Sequence, residues 1–312
     1  MNSDKDKNIN KKDNYTYLNN SSSWLNTIKG YLFIIPSGLT LFIFIILPVF
    51  IAFYISLFQW DLLSEMKFVG LTNYFNLLSS PDFYNTLGNT LYFVSIKLFL
   101  DFVLSFFIAV LLNQKIRGLS FYRTLFFTPV VTSMVAVSVV WMWLYDPFYG
   151  LFNYILGLFN INPVGWLNNP DWAMFSIILV AVWKGLGYNI VIFLAGLQNI
   201  PKSFYEAAAI DGANARQKFR HITIPLLSPT IYFVLIIGII NCFKVFTPVH
   251  VMTPDGGPLK STSVMVFRIY KLAFDKFYFG EASALSVILF LLILAITIFQ
   301  KVYVEKKVHY YN

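Results

Sequence analysis

Long apolar runs separated by short polar stretches organise this chain. A helix needs roughly 20 predominantly apolar residues to cross a hydrocarbon core. Six segments meet that length: residues 31–57, 86–112, 121–145, 171–197, 227–251 and 281–303. Pro36 and Pro48 fall in the first, where they are expected to bend the helix rather than end it, because a bundle can satisfy the freed carbonyls. The pattern predicts an all-α polytopic membrane protein, with six transmembrane helices in residues 30–305. Residues 1–29 are rich in Asn, Lys, Asp and Ser and cannot bury enough apolar surface to order themselves, so a disordered tail is expected. They are also too long and polar for the basic end of a cleaved signal peptide. Residues 306–312 form a second, short tail.

Composition agrees with the pattern. Of 312 residues, 57% are hydrophobic and 12% charged, against about 25% charged in soluble domains. The net charge of +8 does not imply nucleic acid, because the basic residues form no single patch and instead punctuate the apolar runs. The tail carries Lys5, Lys7, Lys11, Lys12 and Lys29. Alternate polar stretches add Lys115, Arg117 and Arg123, then Lys202, Arg216, Lys218 and Arg220, and finally Lys301, Lys306 and Lys307. The opposite set holds only Lys67, Lys260, Arg268, Lys271 and Lys276. Positive residues are retained on the cytoplasmic side, which places both termini and the 201–225 loop inside. Trp60, Trp141, Trp143, Trp166 and Trp172 fall at the predicted outer ends, as an interfacial belt facing lipid would place them.

Catalytic chemistry has no footing here. Cys242 is the single cysteine, and His221, His250 and His309 lack metal-ligand spacing. No Gly-Lys dipeptide occurs, so there is no phosphate-binding loop. The chain is read as a non-enzyme with no cofactor, and any ATP it depends on is bound by another subunit.

The 201–225 loop is polar and helix-prone between two spans. Ser203 and Glu206 have capping-box spacing, Ala207 to Ala209 propagate a helix, and Gly212 supplies the left-handed residue that stops it. A second short helix is expected from Ala213 to about Ile222, with Pro225 enforcing a break. Phe204 and Tyr205 offer aromatic anchors.

The segment Glu206-Ala207-Ala208-Ala209-Ile210-Asp211-Gly212, followed after nine residues by Ile222-Thr223-Ile224-Pro225, resembles the EAA loop of binding-protein-dependent ABC importers. The departure is Ile224 where that pattern has Leu. The runs Trp183-Lys184-Gly185-Leu186-Gly187-Tyr188-Asn189 and Ala195-Gly196-Leu197-Gln198-Asn199-Ile200-Pro201 are similar to the sugar-importer branch. So is Met252-Thr253-Pro254-Asp255-Gly256-Gly257-Pro258, one residue longer than the family's usual turn. The resemblance covers about residues 30–305. It implies the type I ABC importer permease fold in a bacterial inner membrane. It implies a second homologous permease subunit, two cytoplasmic ATP-binding subunits and an extracytoplasmic sugar-binding protein as partners. It places Glu206, Ala207, Ala208, Asp211 and Gly212 at the contact with an ATP-binding subunit. Matched to maltose-type permeases, the substrate-contacting positions are Gly185, Tyr188, Asn241, Cys242 and Val245.

Ionisable residues inside spans cost about 2.5–3.5 kcal/mol at a lipid-facing helix centre, so they should face the bundle interior or a wet cavity. Lys97 and Asp101 stand i and i+4 and are expected to pair. Lys184 and Lys244 have no sequence-local partner and are assigned to the transport route. Tyr188, Asn189, Asn241, Phe243 and Phe246 add the amides and aromatic faces that sugars bind. The lysines are compatible with an anionic ligand without requiring one. A helix near 263–277, with Arg268, Lys271 and Asp275 on one face, either lies on the membrane or receives an extracytoplasmic partner. A secondary transporter would need internal repeats and intramembrane acids beyond Asp101. A membrane enzyme would need clustered His, Asp or Ser at one depth. Neither pattern is present.

Overall fold

A computed structural model describes residues 23–114 and 117–308. Its contacts divide the chain into two units, meeting between Tyr54 and Ile55.

The first unit is a single apolar rod. Helices α1 (Ser23–Leu41) and α2 (Leu47–Ile55) run on through a π-turn at Phe42–Ile46. Together they give an uninterrupted 29-residue span, Thr27–Ile55. Pro36 lies inside α1 without ending it, as expected, and Thr40 Oγ1 donates to the Pro36 carbonyl at 2.9 Å. The expected tail 1–29 falls mostly outside the described residues, but its stretch from Ser23 onward is already helical.

The second unit opens with a short antiparallel hairpin, β1 (Phe58–Gln59) and β2 (Lys67–Phe68). The helices that follow are α3 (Thr72–Ser79), α4 (Pro81–Leu112), α5 (Leu119–Val131), α6 (Met134–Leu144), α7 (Leu151–Leu158) and α8 (Pro170–Gln198). After them come α9 (Lys202–Ile210), α10 (Ala215–Lys218), α11 (Ile224–Phe243), α12 (Thr247–Met252), α13 (Met265–Tyr270) and α14 (Phe279–Phe299).

Helix α8 is the central post, packed on α4, α5 and α11. Its Ala173, Ile177, Ile178, Val180 and Phe193 are completely buried. Two glycines let neighbouring helices approach this post. A Cβ on Gly187 would run into the Phe126 carbonyl of α5, and one on Gly196 would meet Leu227 of α11 at 2.8 Å.

Among the described residues, five helices are long and apolar enough to cross a membrane, and the sixth expected span is a bent pair. The segment 121–145 is not one rod: α5 and α6 meet at 102°. Pro129 near the end of α5 removes an amide, and Thr132 and Ser133 are extended, with ψ of 154° and 134°. The fifth span also departs from expectation. Helix α11 stops at Phe243, and three residues later α12 starts with Pro248 in its first turn. A proline there disfavours helical geometry in the residue before it.

The tryptophans divide between lipid and protein. Trp143 is 73% exposed, as a belt residue would be. Trp141 and Trp166, expected in that belt, instead stack with Tyr145 and Phe152 in an interior aromatic cluster. The Tyr145 hydroxyl in that cluster donates to the Ser176 carbonyl at 3.0 Å.

Candidate functional site

A cavity of about 360 Å³ lies where α4, α6, α8 and the α11–α12 junction converge. It brings together five of the residues assigned to the transport route: Lys184, Gly185, Asn241, Lys244 and Val245. Three others are placed elsewhere. Tyr188 is 46% exposed and Asn189 half-buried on α8, and neither lines the cavity. Cys242 is buried behind the cavity wall, packing with Phe243 into a hydrophobic cluster and setting its thiol beside Lys97. One step along a helix rotates a side chain by about 100°, so Cys242 cannot share the face of Asn241. The cavity also recruits Phe93, Lys97, Met134, Phe246, Thr247 and Pro248. Met134 belongs to the elbow, which the hydropathy of 121–145 gave no reason to suspect.

The three lysines of this cavity have different surroundings. Lys97 is paired with Asp101 in the expected i, i+4 geometry, and both are largely buried. Gly185 of α8 faces that pair: a Cβ there would stand 3.6 Å from both Lys97 Nζ and Asp101 Oδ2. Lys184 reaches across to the broken span, donating to the carbonyls of Pro129 (3.1 Å), Val130 (3.2 Å) and Thr132 (2.8 Å). Those oxygens lie at the end of α5, where the helix ladder runs out, and the Pro129 carbonyl also accepts from the Thr132 amide and hydroxyl. An ammonium there also answers the negative end of the helix dipole. Lys184 lines the cavity, yet its charged end is spent on backbone. Lys244 follows α11 as its C-cap residue. It is exposed, and its side chain makes no hydrogen bond or ion pair among the described residues.

The 201–225 loop forms a second candidate site. Helix α9 ends as expected, with Gly212 at φ +78°. The Gly212 amide donates to Ala209 at 3.1 Å and the Ala213 amide to Ala208 at 2.8 Å, the paired bonds of a Schellman turn. Three details differ from the sequence reading. Ser203 and Glu206 form no capping box, because α9 begins two residues earlier than that box requires, with Pro201 as its cap. The capping box is at Asn214 and Gln217, whose reciprocal bonds are 2.9 and 2.8 Å long. Pro225 does not break the chain. A π-turn at Phe219–Thr223 leads α10 directly into α11, and the Ile224 amide bonds back to Phe219. The wider turn accommodates the proline.

Glu206, Ala207, Asp211 and Gly212 are exposed, and Ala208 is half-buried. Ile210 presents 88% of its surface. This large apolar side chain at the loop's tip was visible within the motif but not singled out. Tyr205 faces inward, its hydroxyl 2.9 Å from Thr223 Oγ1.

At the far end of the fold, Arg268, Lys271 and Asp275 line one crevice of about 340 Å³, on a helix that runs 265–275 through a π-turn. Hydrogen bonds to Asp275 and Asp255, at 2.8 and 2.9 Å, hold Lys271 above the ordinary lysine range. Burial pushes Arg268 down.

Comparison with known families fits this architecture. The profile of the binding-protein-dependent transport system inner membrane component matches residues 101–310. The chain belongs to that family. It is 37% identical over 272 residues to the trehalose/maltose transport system permease protein MalF of Thermococcus litoralis, covering 86% of this chain and 91% of that one. It is 35% identical over 289 residues to the sn-glycerol-3-phosphate transport system permease protein UgpA of Agrobacterium fabrum, covering 91% and 97%. Among solved structures, a bacterial ABC transporter involved in the import of the acidic polysaccharide alginate superposes with a TM-score of 0.78. The match spans 89% of this chain and 95% of that one at 22% identity. The fold is therefore that of an ABC importer permease, in a multi-pass membrane protein.

Proposed function

We propose that this permease is one of two membrane subunits of an ATP-driven carbohydrate importer. It contributes half of the translocation path and is coupled to two cytoplasmic ATP-binding subunits through the 201–225 loop. Both termini then lie in the cytoplasm, and an extracytoplasmic binding protein delivers the sugar to the opposite face. The observation that carries the reading is the loop itself, where a Schellman turn holds the exposed Glu206, Ala207, Asp211 and Gly212 on one short projection with Ile210 at its tip. A membrane protein that exposes such a projection offers it to a partner. The named transport functions of the relatives support a carbohydrate or polyol cargo.

The test uses the complete complex reconstituted in liposomes. Gly212→Val strains a left-handed residue, commonly by about 1–3 kcal/mol, and Ile210→Asp removes the apolar tip. Both variants should insert normally, yet lose retention of the ATP-binding subunits or the ATPase stimulation that substrate-loaded binding protein gives. Normal assembly and stimulation in both would overturn the assignment.

A further inference from the structure

Resting on the importer reading, we infer that the cavity takes a substrate bearing an anionic group, a carboxylate or a phosphate, and that Lys244 is the residue that reads it. The argument is one of charge accounting within a single cavity. Lys97 is neutralised by Asp101. Lys184 is held by three backbone carbonyls, which satisfy its three protons but carry no net charge. Lys244 has neither kind of partner. The C-terminal end of α11 favours a cation at this position, which accounts for where Lys244 sits, but no carbonyl accepts from its Nζ among the described residues.

No carboxylate lines the cavity among the described residues. Its walls thus carry the uncompensated charge of Lys184 and Lys244, in a membrane interior where charge is tolerated only against a partner or water. An arriving anion would supply the missing partner. Asn241 stands three residues before Lys244 and lines the same cavity, so the pair presents an amide and an ammonium to one ligand group. Such a set fits a uronic acid or a phosphorylated polyol better than a neutral sugar, because each bond to an ionised acceptor is charge-assisted.

The experiment measures uptake by the complete importer in liposomes, comparing wild type with Lys244→Gln and Lys244→Arg. The probes are maltose and trehalose as neutral sugars, sn-glycerol 3-phosphate as a phosphate, and digalacturonate as a carboxylate. The binding protein is common to every comparison, so its own preference cancels between variants. Wild type should import an anionic probe. Lys244→Gln should raise KM for that probe about tenfold or more, Lys244→Arg should retain most of the affinity, and assembly should be unchanged. Import confined to neutral sugars with unaltered kinetics in Lys244→Gln would overturn the inference. Loss of assembly in Lys244→Gln would also overturn it, assigning Lys244 to an acid across the subunit interface. No import of any probe together with no stimulation of the ATPases would instead overturn the importer reading, and this inference with it.

Discussion

Lys184 Nζ lies 2.8 Å from the carbonyl oxygen of Thr132, a residue 52 positions earlier in the chain. That bond, with its companions to Pro129 and Val130, closes the elbow between α5 and α6 from the side of α8. A bend of 102° inside an apolar segment leaves carbonyls that lipid cannot satisfy. Here a cation from the neighbouring helix answers those of Val130 and Thr132 and shares that of Pro129 with Thr132 itself.

Removing that cation should loosen the elbow. Lys184→Met is expected to destabilise the protein by about 2 kcal/mol, because bonds to a charged donor contribute about 1.5–3 kcal/mol each and the freed carbonyls find water in the adjacent cavity. Lys184→Arg, which keeps the donors, should recover part of the loss. Thermal unfolding in detergent reads the stability. Spin labels at the exposed Leu125 and Val140 read the angle, and a distance distribution as narrow in Lys184→Met as in wild type would remove Lys184 from this role.

Two glycines two residues apart should respond in opposite ways. Gly187→Ala drives a Cβ into the Phe126 backbone carbonyl, where nothing flexible can yield, and should cost about 1–3 kcal/mol as α5 and α8 separate. Gly185→Ala meets only ordinary contacts at 3.6 Å and should be nearly neutral for stability. Equal melting temperatures for the two variants would contradict the packing described for α8.

The Lys97–Asp101 pair should be strongly non-additive. Lys97→Met or Asp101→Leu alone strands a largely buried charge, commonly a loss of about 3–5 kcal/mol, whereas replacing both partners is often close to neutral. A double-mutant cycle on detergent-purified protein measures the coupling. Additive single effects would mean that the two groups do not depend on each other.

Tyr205→Phe deletes the hydroxyl that meets Thr223 Oγ1 at 2.9 Å and changes little else. The expected stability loss is about 1 kcal/mol, that of one hydrogen bond. The ratio of substrate stimulated to basal ATPase should fall further than stability alone accounts for, because α9 would be free to rock against α11. An unchanged ratio would show that the tie is dispensable.

Much of this architecture was legible in the chain, for identifiable reasons. Helices such as α4, α8 and α14 follow from apolar length alone, a property each segment carries by itself. The elbow was not legible, since 121–145 is apolar enough on average to read as one span and Pro129 looks no different from Pro36, which lies inside an intact helix. What separates them is a donor on another helix, and hydropathy averaged along one segment cannot register it. The same limit governs the cavity. Asn241 and Cys242 are both placed by their match to maltose-type permeases, yet only Asn241 lines the cavity, while neighbouring Cys242 packs into the adjoining core. The cap of α9 lies two residues before the expected one, since Ser203 and Glu206 have the spacing of a capping box while Pro201 sets where the helix starts. Gly212 was identified correctly because a left-handed residue after an alanine helix leaves few alternatives to glycine.

The π-turn at Phe219–Thr223 has a mechanical consequence. Had Pro225 interrupted the chain, the surface loop and the membrane helix would be separate pieces joined by a pliable link. Because the turn absorbs the proline, α10 and α11 form one continuous lever, with Pro229 inside α11, tied near its base by Tyr205. The 20 residues of α11 extend about 30 Å at 1.5 Å each, and the far tip of the lever bears Asn241 and Lys244. Under the proposed coupling, a small tilt imposed at the base would be delivered along that arm to the wall of the cavity.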